Sequence, residues 1–205
     1  SSDLSALQQT MLYLGRLLVQ SGVNSLGVDA AAAFNAVSIA DSYILAPGDS
    51  LAASMTTFAA QNKGAGTGER IEKGLKTMLC MAEIYVCLAA VIVFTKSRWI
   101  LGIFLKPQET AALAFGLSYL LPMSLGYVLT GITNTFQGYF RGIGNLKITL
   151  WATLLQIPIR VAVTYLLLAV LGLQAVAVGT AIGWICMAVF QYFCYRKWGI
   201  HKTVA

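Results

Sequence analysis

Six long apolar segments dominate this sequence and constrain its fold. They are Leu4–Asn24, Ala30–Gln61, Gly74–Thr95, Thr110–Phe140, Ile148–Leu171 and Gln174–Tyr195. A helix of about 20 apolar residues crosses the hydrocarbon core of a bilayer, so each segment is long enough to span a membrane. We predict an all-α membrane protein in a lipid bilayer, with a single six-helix domain over residues 1–205.

The composition supports a membrane location and excludes other classes of protein. Hydrophobic residues make up 58% of the chain and charged residues only 11%, whereas a soluble domain carries about 25% charged residues. A disordered chain needs the opposite balance. The net charge of +6 does not indicate nucleic acid, because the basic residues lie between apolar segments and form no stripe on a soluble face. We therefore expect no nucleic-acid partner.

Charges between the apolar segments predict their orientation. If every segment crosses the membrane once, nine basic residues lie on one side and three on the other. The nine are Lys63, Arg70, Lys73, Lys76, Arg141, Lys147, Arg196, Lys197 and Lys202. Basic loops stay on the cytoplasmic side of a membrane. The asymmetry predicts a multi-pass protein of the cytoplasmic membrane, with both termini of this segment in the cytoplasm.

Asp41 is the most informative polar residue, because a charge at membrane depth is costly and normally faces a cavity or a partner. Pro47 follows in the same segment and cannot donate a hydrogen bond to the carbonyl of Tyr43, four residues back. A carboxylate near a free carbonyl oxygen suits Na+ or a proton. Two alternatives stay open: Asp41 forms a buried structural pair with Arg16 or Arg160, or it lies in solvent outside the span.

The fifth segment repeats this combination of a proline and an ionisable side chain. Pro158 precedes Arg160 by two residues, and Gln156 and Arg160, four residues apart, share one helix face. Arg160 therefore joins Asp41 and Tyr43 as a candidate for coupling to an ion or a proton.

A polar stripe runs along the fourth segment. It consists of Tyr127, Thr130, Asn134, Gln137 and Arg141. Their spacing of three or four residues places them on one helix face. Such a stripe lines a cavity or packs against another helix, and the sequence leaves both open. An aromatic ring among uncharged polar groups suits a small amphiphilic or cationic substrate. The candidates for a substrate cavity are Tyr127, Thr130, Asn134, Gln137, Gln156 and Arg16.

No set of residues indicates an enzyme. The four cysteines form no CxxC pair, and the sequence contains no Ser–His–Asp set and no metal-binding cluster. The glycine-rich run at residues 64–68 lacks the Lys-Ser/Thr ending of a phosphate-binding loop. We predict no enzymatic activity and no cofactor, apart from Na+ or H+ as a coupling ion.

Several segments resemble the MATE (multidrug and toxic compound extrusion) family of transporters. They lie at residues 39–42, 57–66, 70–74, 140–144, 182–184 and 195–198, which read IADS, TFAAQNKGAG, RIEKG, FRGIG, IGW and YRKW. The TFAAQNKGAG and FRGIG segments are fairly specific together and weak singly. The likeness spans nearly the whole chain and is closest to the anaerobe-type bacterial branch.

The resemblance implies one lobe of a twelve-helix transporter that exports organic cations or drugs against influx of Na+ or H+. This chain would be the C-terminal lobe, with an N-terminal six-helix lobe as its partner. One branch of the family has coupling carboxylates on its seventh and tenth helices, but the corresponding first and fourth segments here contain no acid. Asp41 matches an acid found in the anaerobe-type branch. The alternatives are a lipid-linked saccharide flippase of the same superfamily and a non-transporting membrane packing subunit.

Overall fold

A computed structural model of the chain describes residues 2–199, with side chains described for residues 6–199. Lys202, which contributed to the predicted charge asymmetry, lies outside these residues. The described chain forms six helices, which are α1 (Ser2–Asn24), α2 (Val28–Gly64), α3 (Gly68–Phe104), α4 (Thr110–Gly142), α5 (Leu146–Leu171) and α6 (Gln174–Trp198). The prediction of an all-α protein with six helices is confirmed.

The helices differ in how well they suit a bilayer. Within the described residues, α3, α4, α5 and α6 are long and apolar enough to cross a membrane, as judged by length and composition. The helices α1 and α2 have 23 and 37 residues and are also long enough, but they carry more polar side chains. Part of this polarity faces a cavity inside the bundle.

The helix α3 extends well beyond the predicted span of Gly74–Thr95. It begins at Gly68 and ends at Phe104, and its extra turns contain charged residues such as Glu69 and Arg98. Hydropathy reports the part of a helix that contacts lipid, whereas the backbone hydrogen bonds of a helix continue equally well into water. The sequence therefore located the apolar centre of α3 and underestimated its length.

The central helix of the bundle is α4. It packs against α2, α3 and α6, while α5 packs against α6 and α1. Tyr127, Tyr139 and Phe140 of α4 are fully buried. Large apolar side chains on the outside of the bundle, such as Leu166 and Val170 of α5, are exposed. An apolar exterior around a closely packed interior suits a protein surrounded by lipid.

Two glycines on α4 set its distance from α2. A Cβ atom at Gly138 would lie 2.3 Å from the carbonyl oxygen of Ala52, and one at Gly142 would lie 2.6 Å from that of Thr56. Lipid tails are as apolar as leucine side chains, so helices in a membrane associate largely through close packing, which small residues allow. This GxxxG pair therefore lets the backbones of α2 and α4 come into direct contact.

Hydrogen bonds join several elements at one end of the bundle. We call this the basic end; it comprises the α2–α3 loop, the α4–α5 loop and the end of α6. Lys63 Nζ donates to the carbonyl oxygen of Ile143, which links the two loops. The carboxylate of Glu72 accepts hydrogen bonds from the hydroxyl groups of Tyr139, at 3.2 Å, and Tyr195. The Glu72 contacts connect α3, α4 and α6. The segments at residues 57–66, 70–74, 140–144 and 195–198, which carry the family resemblance, therefore help to hold this end of the bundle together.

The proline in α2 lies beside a hydrogen bond from a neighbouring helix. Pro47 is inside α2 and leaves the carbonyl of Tyr43 without its helical donor. The hydroxyl group of Tyr85 on α3 donates to the adjacent carbonyl oxygen, that of Ile44, at 2.6 Å. Tyr85 therefore supports the backbone of α2 next to the position where the helical hydrogen-bond pattern is interrupted.

We expect Tyr85→Phe to lower the free energy of unfolding by about 1 kcal/mol, because the bilayer offers no replacement donor. Thermal unfolding in lipid–detergent micelles, followed by circular dichroism, measures this change. Tyr43→Phe is the matched control, since the Tyr43 side chain is 74% exposed and its removal should leave the melting temperature unchanged. Equal melting temperatures for both variants and the wild type would contradict the assigned role of Tyr85.

Candidate functional site

A cavity of about 440 Å³ lies within the bundle and is lined by side chains from α1, α2, α4, α5 and α6. One polar face of α2 supplies much of its wall: Asn35, Ser38, Asp41, Ser42 and Asp49. The spacing of these residues brings them to one side of the helix. The cavity explains why α2 carries so many polar residues within an otherwise apolar sequence.

The carboxylate of Asp41 is held by two tyrosines of α4. The hydroxyl group of Tyr127 donates a hydrogen bond to Oδ1, and that of Tyr119 makes a long contact of 3.5 Å with Oδ2. Both tyrosine side chains are buried. A carboxylate flanked by two hydroxyl groups offers several oxygen atoms at one place, which is suitable chemistry for binding a proton or a hard cation.

Arg16 and Arg160 line the same cavity as Asp41. The hydrogen bonds to Asp41, however, come from Tyr127 and Tyr119. Among the residues that the structure describes, the carboxylate is therefore held by hydroxyl groups, and the two arginines contribute charge to the cavity wall. Asp41 is inside the bundle and does not lie in solvent beyond the end of a span.

A second carboxylate of α2 also faces α4. The side-chain amide of Asn134 donates to Asp49 Oδ1 at 3.0 Å. Asp49 is eight residues after Asp41, which corresponds to about 12 Å along the helix axis. The predicted polar stripe of α4 thus contacts α2 at two levels, through Tyr127 and through Asn134.

The other predicted site residues lie elsewhere. The side chain of Tyr43 is exposed, but the prediction concerns its backbone carbonyl, which Pro47 leaves without a helical donor. Thr130 donates to the carbonyl oxygen of Tyr127 in its own helix, at 2.7 Å. Gln137 and Gln156 are buried, at 5% and 6% exposure, and they are absent from the described lining of the cavity. The α4 stripe therefore packs mainly between helices, and α2 supplies more of the cavity wall.

Tyr119 and Asp49 of the cavity wall were not among the predicted site residues. A signal for Asp49 was available, because the polar face of α2 has the same three-to-four-residue periodicity as the α4 stripe. No comparable signal existed for Tyr119, which lies in an apolar stretch before Pro122. Its contact with Asp41 depends on how two helices, each with an internal proline, pack together.

Comparison with known proteins supports the resemblance seen in the sequence. The family model described as MatE matches residues 5–166. The chain is 27% identical over 201 residues to the probable multidrug resistance protein YpnP of Bacillus subtilis (strain 168), which covers 97% of this chain and 45% of that protein. It is 28% identical over 153 residues to the probable multidrug resistance protein YoeA of the same organism, which covers 75% of this chain and 32% of YoeA.

Solved structures share the fold. A MATE crystal structure in complex with MaL6 matches with a TM-score of 0.88 at 19% identity, over 97% of this chain and 46% of the other chain. At this level of identity the match concerns the fold alone. The chain spans less than half the length of each of these proteins, as expected for one lobe of a twelve-helix transporter.

Proposed function

Because this chain belongs to the MatE family, we propose that it is the C-terminal lobe of a transporter that exports drugs or organic cations across the cytoplasmic membrane. Its relatives include a probable multidrug resistance protein of Bacillus subtilis, and its fold is that of a multidrug resistance MATE family transporter. The chain is accordingly a multi-pass membrane protein and not an enzyme. These relatives favour neither the saccharide flippase nor the packing subunit.

The observation that carries the proposal is the Asp41 carboxylate in the cavity, hydrogen-bonded by Tyr127. A charged carboxylate at membrane depth is costly, and binding of Na+ or H+ reduces that cost. An ion that binds at Asp41 from one side of the membrane and leaves on the other would therefore change the charge of the cavity during each transport cycle. This charge change is the proposed basis of coupling between ion influx and substrate export.

The second lobe is part of this proposal. A cavity formed by one lobe becomes a transport path when a second lobe covers it and the two rock against each other, as transporters built from repeats do. We place the N-terminal six-helix lobe opposite the polar face of α2. The basic end is placed in the cytoplasm, because loops rich in lysine and arginine remain on that side.

Transport by the assembled two-lobe protein in liposomes tests the proposal. We expect ethidium, an amphiphilic cation, to be moved against its gradient when an inward Na+ gradient or an inward proton gradient is imposed. Monensin or nigericin, which collapse these gradients, should stop the movement and serve as the control. Liposomes with and without the protein would then be compared under a Na+ gradient, under a proton gradient and after addition of the ionophore. Equal ethidium movement in the two preparations under each of these conditions would contradict the proposed function.

A further inference from the structure

A single charged side chain lies in the apolar centre of α3. Glu83 is the only acidic or basic residue between Lys76 and Lys96, and α3 is apolar enough to cross a membrane. Along the helix axis, Glu83 lies about 10 Å from Lys76 and about 20 Å from Lys96. Its carboxyl group is therefore at membrane depth, and it is absent from the described lining of the cavity.

A glycine of α4 makes room for this carboxyl group. A Cβ atom at Gly131 would overlap Glu83 Oε1 and would lie 3.1 Å from Glu83 Cδ. Oε1 is buried and has no hydrogen-bond partner among the described residues. An oxygen atom in this position lacks both the water and the donors that a charged carboxylate needs. The notch at Gly131 therefore suits a neutral carboxylic acid.

Neither helix packed against α3 supplies a cation to Glu83. These helices are α2 and α4. The only basic residue of α2 is Lys63, whose Nζ donates to the carbonyl oxygen of Ile143. The only basic residue of α4 is Arg141, ten residues after Gly131 and about 15 Å further along the axis. In the described part of the chain, no charged side chain offsets the burial of Glu83.

The other ionisable groups of α2, α3 and α4 at this depth have partners elsewhere. On α4, the hydroxyl group of Tyr127, one turn before Gly131, donates to Asp41 of α2. On α3, the hydroxyl group of Tyr85 donates to the carbonyl oxygen of Ile44. Neither tyrosine hydroxyl is therefore directed to the Glu83 carboxyl group, which agrees with the lack of a partner for its Oε1.

One side of Glu83 is open to the exterior of the bundle. Cys80 and Cys87 lie one turn before and one turn after Glu83 on the same helix face, and both are exposed. The next residue, Ile84, is 58% exposed, and Glu83 itself is partly buried. Because this apolar exterior suits lipid, a hydrophobic molecule dissolved in the bilayer has access to the carboxyl group.

We propose that Glu83 is a proton-binding site at the boundary of α3 and α4, separate from the cavity, and a site of modification by hydrophobic carbodiimides. The bound proton keeps the carboxyl group neutral where no cation compensates a charge. The inference does not depend on the proposed export, because it concerns a different part of the molecule and is read out without transport.

The carbodiimide reaction requires the proton that the proposal assigns to Glu83. The acidic proton moves to one nitrogen of the carbodiimide, and a carboxyl oxygen forms a bond to the central carbon as one C=N π bond breaks. The acyl group then shifts from this oxygen to a nitrogen and gives a stable N-acylurea, without loss of any atom. A charged carboxylate in the same position lacks the proton for the first step.

Labelling of the assembled two-lobe protein in liposomes at pH 8 tests the inference. The hydrophobic reagent is dicyclohexylcarbodiimide, and proteolysis with mass spectrometry locates and quantifies the adduct. Glu69, exposed in the first turn of α3, is the matched acid, since at pH 8 only roughly one in 5,000 water-exposed glutamates carries a proton. We expect Glu83 to be labelled at least about tenfold more than Glu69. A water-soluble carbodiimide with a charged amine should leave Glu83 unmodified.

Two variants examine the carboxyl group and its notch separately. Glu83→Gln should lose the adduct and keep the wild-type melting temperature, because glutamine has nearly the shape of the neutral acid. Gly131→Ala places a methyl group where Oε1 lies, and the flexible glutamate side chain can move out of the notch. We expect faster labelling of Glu83 in Gly131→Ala, because α4 then covers less of the carboxyl group.

Each outcome supports or overturns the inference. Absence of the adduct at Glu83, or equal labelling of Glu83 and Glu69, would show that Glu83 is charged or out of reach of lipid. A much lower melting temperature for Glu83→Gln would indicate an ion pair instead of a bound proton. The wild-type labelling and Gly131→Ala decide the question if Glu83→Gln does not fold, and an unchanged rate in Gly131→Ala would contradict the notch. Failure of ethidium export would overturn the proposed function and leave this inference in place.

Discussion

Asp41→Asn is expected to abolish ion-driven export by the assembled transporter and to leave the protein folded. The amide of asparagine neither takes up a proton nor offers a negative charge to Na+, so the proposed change of charge in the cavity is lost. Its oxygen still accepts the hydrogen bond that Tyr127 donates to Asp41. We expect the initial rate of ethidium export from liposomes to fall at least about tenfold, with an unchanged elution profile in detergent.

A matched acid on the same helix provides the control. Asp29 lies in the first turn of α2 and is exposed, so Asp29→Asn removes the same charge away from the cavity and should keep the wild-type rate. Tyr127→Phe should give an intermediate rate, because it removes one hydroxyl group and retains the carboxylate. Wild-type export by Asp41→Asn would show that coupling occurs elsewhere.

The stability of Asp41→Asn distinguishes between two roles for the carboxylate. Removing one member of a buried ion pair costs about 3–5 kcal/mol, and neutralising both partners recovers much of that loss. The observed hydrogen bonds come from tyrosines, so we expect a loss of at most about 2 kcal/mol. The double variant Asp41→Asn with Arg160→Gln should then be no more stable than Asp41→Asn alone. Recovery in the double variant would support the arginine pair instead.

The sequence was sufficient to predict the fold class and to identify Asp41. Hydropathy reports contact with lipid, and each long apolar segment corresponds to a helix. An aspartate within such a segment stands out, because its cost at membrane depth requires a compensating environment. Both inferences depend on local properties of the chain.

The partners of Asp41 were harder to predict, since they depend on which faces of which helices meet. Tyr119 and Tyr127 are 78 and 86 residues from Asp41 in sequence. Periodicity places polar residues on one face of α4, but it does not specify the neighbour of that face. The stripe consequently packs against other helices over much of its length. Tyr43 was singled out for the backbone carbonyl that Pro47 frees, and its role in ion coupling stays a prediction.

Gly138→Ala is expected to destabilise the protein strongly, although it adds only one methyl group. The new Cβ atom would lie 2.3 Å from the carbonyl oxygen of Ala52 and 3.1 Å from the Cβ atom of Met55. The nearest atom belongs to the backbone of α2 and cannot be moved by a change of rotamer. We expect the free energy of unfolding to fall by about 3 kcal/mol, at the upper end of the usual cost of overpacking. Thermal unfolding in lipid–detergent micelles measures this loss.

Gly102→Ala is the matched control and should change stability in the opposite direction. A Cβ atom at Gly102 of α3 would meet no atom within 4 Å, and alanine stabilises an open helix position by about 0.5–1 kcal/mol relative to glycine.

Gly138 also affects function, because α2 carries Asp41 and α4 carries Tyr127. Separation of these helices at Gly138 should weaken that hydrogen bond, so Gly138→Ala should slow ethidium export even at temperatures where it remains folded. A Gly138→Ala protein as stable and as active as Gly102→Ala would show that α2 and α4 do not need this direct backbone contact.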